Sequence, residues 1–331
     1  MTKSSGPAAR AFWTIGAGRG EIRDVDLPAP GPDEVLVRTL WSGVSRGTEA
    51  LVFAGRVPEG ERTRMRAPFQ EGDFPFPVKY GYAAVGVVEA GPGDLAGRSI
   101  FCLHPHQTRF VVPAAAVRPL PEGLPPARAV LAANAETALN ALWDGGAGPG
   151  DRIAVVGGGA VGALVGAFAG AIPGTEVTLV DVDPAKAGLA DRLGIGFAAP
   201  GSAACGADLV FHASATAAGL ETALRLAGDE ATVVELSWYG DRPVTVGLGG
   251  HFHAGRLRIV SSQVGRVAPD RRPRWDYARR LGKALELLRD DRLDALLSEA
   301  IDFDTLPDRM SGLLSGPGGA CCPLIRYPSE P

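Results

Sequence analysis

Two different rhythms of apolar and polar positions divide the chain. From Glu34 to about Arg118 the apolar residues fall in short runs separated by turn residues, as in EVLVRTLW, AAVGVVEAG, RSIFCLH and TRFVVPA. That pattern predicts short strands. Further on, the runs RIAVVG, EVTLVD, ADLVFHAS, ATVVELS and LRIVSSQ alternate with AVGALVGAFAGA, PAKAGLADRLG and GLETALRLA. Strands separated by helical segments predict a parallel sheet with helices on both faces. Between Pro125 and Trp143, Val130, Leu131, Ala138, Leu139 and Leu142 share one helical face, which GGAGPGD ends. In WDYARRLGKALELLRDD, Trp275, Ala278, Leu281, Leu285 and Leu288 form an apolar stripe, predicting one more helix.

The long apolar run from Ile153 to Val182 is interrupted by Gly157-Gly158-Gly159 and Pro173-Gly174 and bounded by Asp151 and Asp181. A strand, a turn, a helix and a second strand account for it better than a membrane span. The opening MTKSSGPAAR lacks the apolar core of a signal peptide. With 331 residues, 46% of them apolar, the chain can bury the cores of two domains. Its 45 glycines and 27 prolines punctuate the apolar runs and form no low-complexity blocks. A net charge of −4 gives no field to hold a polyanion, so a small molecule is the expected partner, not nucleic acid or an anionic membrane. Cys102, Cys205, Cys321 and Cys322 match neither a disulfide framework nor the thiol spacing of structural zinc. They read as reduced thiols of a cytoplasmic protein.

The strongest chemical signal is DRIAVVGGGAVGALVG, where Gly157, Gly159 and Gly162 have the spacing G-x-G-x-x-G between a predicted strand and a predicted helix. Gly157 permits the tight turn, Gly159 lets a pyrophosphate approach the backbone, and Gly162 lets helix and strand pack closely. The first helical residues, Ala160 and Val161, bring backbone N–H groups and a partial positive charge toward the phosphates. Asp181, nineteen residues beyond Gly162, ends the next strand where a carboxylate would accept the adenosine ribose hydroxyls. Its negative charge would repel a 2′-phosphate, so NAD is expected in preference to NADP. Asp183, before Pro184, offers the alternative of a simple helix cap.

The order of parts, with EVLVRTLWSGVSRGTE, KYGYAAVGVVEAG, GRSIFCLHPHQTRFVVPAAAVRPLP, the glycine turn and ELLRDDRLDALLSEAIDF, resembles the medium-chain dehydrogenase/reductase family from about Arg10 to Tyr327. GVSRGTE, PHQ, NAETALNALWD, SSQVG and RRPRWDYARRL are closest to the branch that includes bacteriochlorophyllide a dehydrogenase. The resemblance implies an α/β chain: a Rossmann doubly wound parallel sheet over residues 123–267 and a discontinuous, β-rich GroES-like catalytic domain over 1–122 and 268–331. It also implies a homodimer joined through edge strands of the cofactor domain, and an active cleft between the two domains.

Zinc-dependent relatives carry a cysteine where this chain has Ser45, a His-Glu pair at Tyr82-Ala83, and a third ligand near Ala133 or Asn134. None of these residues suits zinc, which takes thiolate, imidazole or carboxylate. The lobe of four cysteines that holds structural zinc in many relatives is missing too. A site free of metal is therefore expected, in which protein hydrogen-bond donors polarise the substrate oxygen.

Tyr82, His106, Ser45 and Lys79 are the candidates for that work, Tyr82 first because it stands at a former ligand position. Cys102, His104 and His106 admit three readings: a metal site, packed residues, or a histidine of the cleft wall that handles a proton near its ordinary pKa of ~6.5. Pro105 interrupts any strand that would align them. Arg46 could meet the cofactor phosphates, and Thr137 matches a family position near the nicotinamide. Glu49 fits the family pattern in two registers, so its role stays open. The basic runs ERTRMR and DRRPR would favour an anionic substrate if they flank the cleft, and otherwise are solvated loops. The activity expected is zinc-independent hydride transfer between NAD(H) and an alcohol/carbonyl pair. An NADPH-dependent quinone or enoyl reductase and a non-catalytic dinucleotide-binding protein are the alternatives.

Overall fold

The structure, a computed structural model, describes residues 8–315 and 321–328. The expectation about the opening segment falls mostly outside them. Two compact units are formed: Met1–Ala133 with Leu297–Pro331, and Asn134–Leu296.

In the discontinuous unit, the ten-residue strand Glu34–Gly43 is used along both edges. Ala84–Ala90 pairs with it on one side, and Arg109–Pro113 and Cys322–Arg326 share the other, all antiparallel. Val35 and Val37 of this strand join Val88, Ile100, Phe110 and Val112 in one core. The β-branched and aromatic residues of the four sequence runs thus fill the buried positions of a sheet. Phe12, Val44, Phe53, Phe303, Ile325 and Tyr327 form a second core. The Tyr327 ring stacks on Phe303 at 4.8 Å. Ile325 lies opposite Ser42 in the ladder, which brings the end of the last strand beside the centre of the sheet.

The other unit is a parallel sheet of six strands: Arg152–Val156, Glu176–Val180, Gly196–Ala198, Ala207–His212, Ala227–Glu235 and Arg258–Ser261. Across the sheet they run third, second, first, fourth, fifth, sixth. This is the order in which dinucleotides bind across the crevice at the strand-order reversal. The apolar run from Ile153 resolves into the first strand, the helix Ala160–Gly170 and the second strand. Leu164 and Val165 of that helix are wholly buried. Among the described residues no helix is long and apolar enough to cross a membrane.

The compact units divide after Ala133 and after Leu296; the domain bounds expected from the sequence are 122/123 and 267/268. Of the stripe expected over residues 275–288, Leu281, Leu285 and Leu288 are buried and the first two residues are not. Trp275 precedes the helix Tyr277–Leu287 and Ala278 is exposed, whereas Arg280, Leu281, Ala284 and Leu285 form the buried face. A buried charge explains the difference in the stripe. Arg280 is 2% exposed and donates to Glu136 Oε1 at 2.9 Å, Asn140 Oδ1 at 2.6 Å and the Val264 carbonyl at 2.5 Å. Its guanidinium ties this helix to Ala132–Gly145 within the parallel-sheet unit.

Burying an ion pair is costly, but removing one partner costs more, because the other charge stays behind. Arg280→Met is expected to lower the unfolding free energy by about 3 kcal/mol or more, read as a lower urea midpoint with an unchanged slope.

Candidate active site and dinucleotide-binding turn

In the parallel-sheet unit the glycine turn has the geometry a phosphate cradle requires. Gly157 has φ +109°, and a Cβ there would stand 2.7 Å from the Ser214 nitrogen. A Cβ on Gly162 would collide with the Gly157 carbonyl oxygen, so only glycine lets this helix approach the strand so closely. Gly159 caps the helix without a side chain and has open space where its Cβ would be. Ala160 and Val161 begin the helix. The open side of the turn therefore presents helix-terminal N–H groups with room for a pyrophosphate. These residues fit a dinucleotide.

Asp181 follows the second strand. Its Oδ2 accepts from the Gly158 N–H at 2.5 Å and its Oδ1 from the Asp183 N–H at 2.9 Å. Asp183 in turn accepts from the Ala185 N–H at 3.0 Å, just before the helix Lys186–Leu193. Asp181 thus braces the turn, and the N-cap residue of that helix is Ala185, not Asp183, the alternative that the sequence offered.

In the other unit, a polar chain runs through the interior. Tyr327 OH lies 2.9 Å from Ser42 Oγ, and Ser42 Oγ lies 2.8 Å from His106 Nδ1. His106 Nε2 is 3.0 Å from Glu49 Oε2, while Glu49 Oε1 accepts from the Ser45 N–H at 2.7 Å. His106 is 1% and Glu49 3% exposed. A buried carboxylate is tolerated only where donors replace its lost water, and here an imidazole and a backbone N–H face it. Gly81, with φ +122°, permits the arrangement, because a Cβ there would stand 3.0 Å from the His106 ring.

Tyr82 joins this cluster from the segment between strands. Its hydroxyl is hydrogen-bonded by the side chains of Ser45 and Thr48. Burial, with the nearby Glu49 charge, pushes its phenol up to about 12. Tyr82 keeps partial solvent access, as do Ser45 and Thr48, in contrast to His106 and Glu49. Tyr80 meets the Tyr82 ring edge-on at 5.9 Å. Of the four catalytic candidates, Ser45, Tyr82 and His106 therefore converge on Glu49. Lys79 does not reach Glu49: it is 1% exposed and donates to Glu71 Oε1 at 2.5 Å and Gln107 Oε1 at 2.6 Å. Arg46 opens the helix Arg46–Phe53, for which Ser45 is the N-cap residue, and Thr137 belongs to the other unit.

The cluster of Cys102, His104 and His106 divides three ways. Cys102 is a core thiol that burial pushes up to about 12. His104 stacks on Phe110 at 3.8 Å and 9°, with Nδ1 2.9 Å from the Pro105 carbonyl oxygen. Only His106 enters the polar chain. Among the described residues no group of three or more His, Cys, Asp and Glu side chains could hold a metal ion. The donors around Glu49, a carboxylate, one imidazole, a phenol and alcohols, include fewer than the three protein ligands that zinc takes.

Sequence reading missed Ser42, Tyr327 and a second His–Glu pair, His212 with Glu235 at 2.8 Å. The alternation of the strand at 34–43 could have marked Ser42 as a polar residue on a buried row. Nothing local marks Tyr327, which lies 285 positions from its partner.

No family model matches the chain. Solved structures resemble it over nearly its whole length. A Sinorhizobium meliloti protein assigned as a zinc-binding dehydrogenase and bound to NADP is 20% identical, with TM-score 0.78, over 97% of this chain and 100% of its own. An Escherichia coli alcohol dehydrogenase complexed with NADH is 17% identical, with TM-score 0.76, over 97% and 100%. The 2R,3R-butanediol dehydrogenase of Bacillus subtilis is 17% identical, with TM-score 0.76, over 96% and 99%. The chain therefore has the fold of these dehydrogenases, a Rossmann unit with a GroES-like one.

His104 gives this unit a predictable response to acid. Burial, aided by the Lys79 charge, pushes it down to about 3, whereas an unfolded histidine titrates near ~6.5. As pH falls below that value the unfolded chain takes up a proton that the folded chain refuses, so stability is progressively lost toward pH 3. His104→Phe, which keeps a ring against Phe110, is expected to lose about 2 kcal/mol less than the wild type between pH 7.5 and pH 5, measured by chemical denaturation at both pH values.

Proposed function

We propose that the chain is a medium-chain dehydrogenase/reductase that moves hydride between NAD(H) and an alcohol/carbonyl pair, with protein groups in place of zinc. The observation that carries this reading is the Tyr82 hydroxyl, held by Ser45 and Thr48 beside the buried Glu49. It occupies a position where zinc-dependent relatives have a ligand.

The dinucleotide, when bound, supplies or accepts the hydride. Tyr82, kept protonated by burial and by Glu49, donates a hydrogen bond to the substrate oxygen. In carbonyl reduction it gives that oxygen its proton, and the hydroxyls of Ser45 and Thr48 hold the phenolic oxygen while solvent, to which all three residues keep partial access, returns a proton to it. A donor aimed at the oxygen where negative charge develops is an efficient means of lowering such a barrier. Ser45 is a second donor at the same place. His106, with both ring nitrogens engaged, acts through Glu49 as a positioning residue, and Lys79 braces Gln107 beside it. Asp181 reads the adenosine ribose and disfavours a 2′-phosphate, with Gly157, Gly159, Ala160, Val161 and Gly162 holding the pyrophosphate. Thr137 and Arg46 are proposed cofactor contacts.

Tyr82→Phe is expected to lower turnover about 10²-fold or more while NADH still binds. Wild-type turnover in that variant would refute the role. The substrate class is assigned by assaying alcohols and ketones against enones and quinones with both nicotinamides. In fluorescence titration NADH is expected to bind more tightly than NADPH, and the reverse order would overturn the part given to Asp181.

A further inference from the structure

The carboxyl ends of the fourth and fifth strands of the parallel sheet carry a polar cluster that the proposed reaction does not use. His212, the last residue of Ala207–His212, is wholly buried and lies opposite Glu235, the last residue of Ala227–Glu235. Its Nδ1 is 2.8 Å from Glu235 Oε2 and its Nε2 is 2.7 Å from Ser214 Oγ. Tyr239 donates its hydroxyl to Glu235 Oε2 at 3.0 Å, and the Ser237 N–H donates to Oε1 at 2.7 Å. Burial works against ionisation of Glu235, but the His212 and Ser237 donors outweigh it and hold the carboxyl below its usual range.

The other groups facing His212 do not cancel this charge at close range. The helix Ala217–Leu226 and its cap present Gly219 and Thr216, both uncharged. Arg242 reaches the Ala215 carbonyl and bears on Tyr239. Burial and the Glu235 charge keep the Tyr239 phenol protonated. Glu235 therefore stands as a carboxylate.

The cluster adjoins the glycine turn. The Ala213 N–H donates to the Val156 carbonyl at 2.8 Å, and Ser214 blocks any Cβ on Gly157. It lies across the strand-order reversal from Asp181, at the ends of the fourth and fifth strands. A sheet of this order holds the two halves of a dinucleotide on its two sides. With Asp181 beside the adenosine half, the His212–Glu235 pair falls to the nicotinamide half.

We propose that Glu235 sets the relative affinity of this protein for oxidised and reduced nicotinamide. The proposal rests on the dinucleotide reading above. Oxidised nicotinamide carries a positive charge and reduced nicotinamide does not, while the rest of the two molecules is the same. The ratio of their dissociation constants thus cancels the contributions of the pyrophosphate and the adenosine half. A partly buried carboxylate, with its side chain 14% exposed, is only partly screened and favours the cation.

The test measures Kd for NADH by fluorescence and for NAD⁺ by displacement in one neutral buffer, with folding checked by thermal melting. Glu235→Gln is expected to lower the ratio of the NADH to the NAD⁺ constant about fivefold. Glu235→Asp, which keeps the charge, is expected to retain most of the wild-type ratio. A wild-type ratio in folded Glu235→Gln would overturn the proposal. A wild type that binds neither form would overturn the dinucleotide reading itself, and the proposal with it.

Discussion

A carboxylate shut away from water is the constraint around which the discontinuous unit is organised. Glu49 can keep its place only while donors surround it, and those donors come from distant parts of the chain. Ser45 supplies its N–H from the start of the same helix, and His106 supplies its ring from the loop after the strand Ser99–Cys102. His106 is held from behind by Ser42 of the central strand, which is in turn bonded to Tyr327 near the end of the last strand. Loss of any one of these contacts weakens the case for the next. The active-site chemistry proposed for Tyr82 therefore depends on the packing of the whole unit.

The same carboxylate fixes where protons reside. Its charge adds to burial in raising Tyr80, Tyr82, Cys322 and Tyr327, for each of which desolvation is the first cause. Phenols and thiols near Glu49 are held as neutral donors across the pH range in which enzymes work. A neutral phenol suits donation to an oxygen that is gaining negative charge, and it makes a poor base. That asymmetry is why Tyr82 is read as a donor in the reducing direction.

Much of the fold was legible because it depends on local pattern. The alternation of strand and helix after residue 150, the break in the apolar run at Gly157-Gly158-Gly159 and the buried face of Val130, Leu131 and Leu142 all follow from short-range spacing. Gly157 and Gly162 were legible because the turn needs their geometry within a few residues of each other. The stripe at 275–288 was misread because periodicity scores Trp275 and Ala278 as apolar and cannot see that buried Arg280 is paid for by Glu136 and Asn140 more than a hundred positions away. Ser42, Tyr327, His212 and Glu235 were invisible for a related reason. Each is an ordinary polar residue in an apolar strand or at its end until the partner is brought opposite, and only the ladder pairing of Ile325 with Ser42, or of His212 with Glu235, does that.

The two units share one device. Each contains a buried histidine whose ring nitrogen lies within 3.0 Å of a glutamate oxygen and whose other ring nitrogen faces a serine hydroxyl. In both, the ring bridges a hydroxyl and a carboxylate, so each glutamate is held through an imidazole by a serine on another segment of the chain. In the discontinuous unit that arrangement keeps a carboxylate beside the neutral phenol of Tyr82, and in the parallel-sheet unit it keeps one at the carboxyl end of the fifth strand. In each case the acid is placed by partners that only the folded sheet brings opposite it.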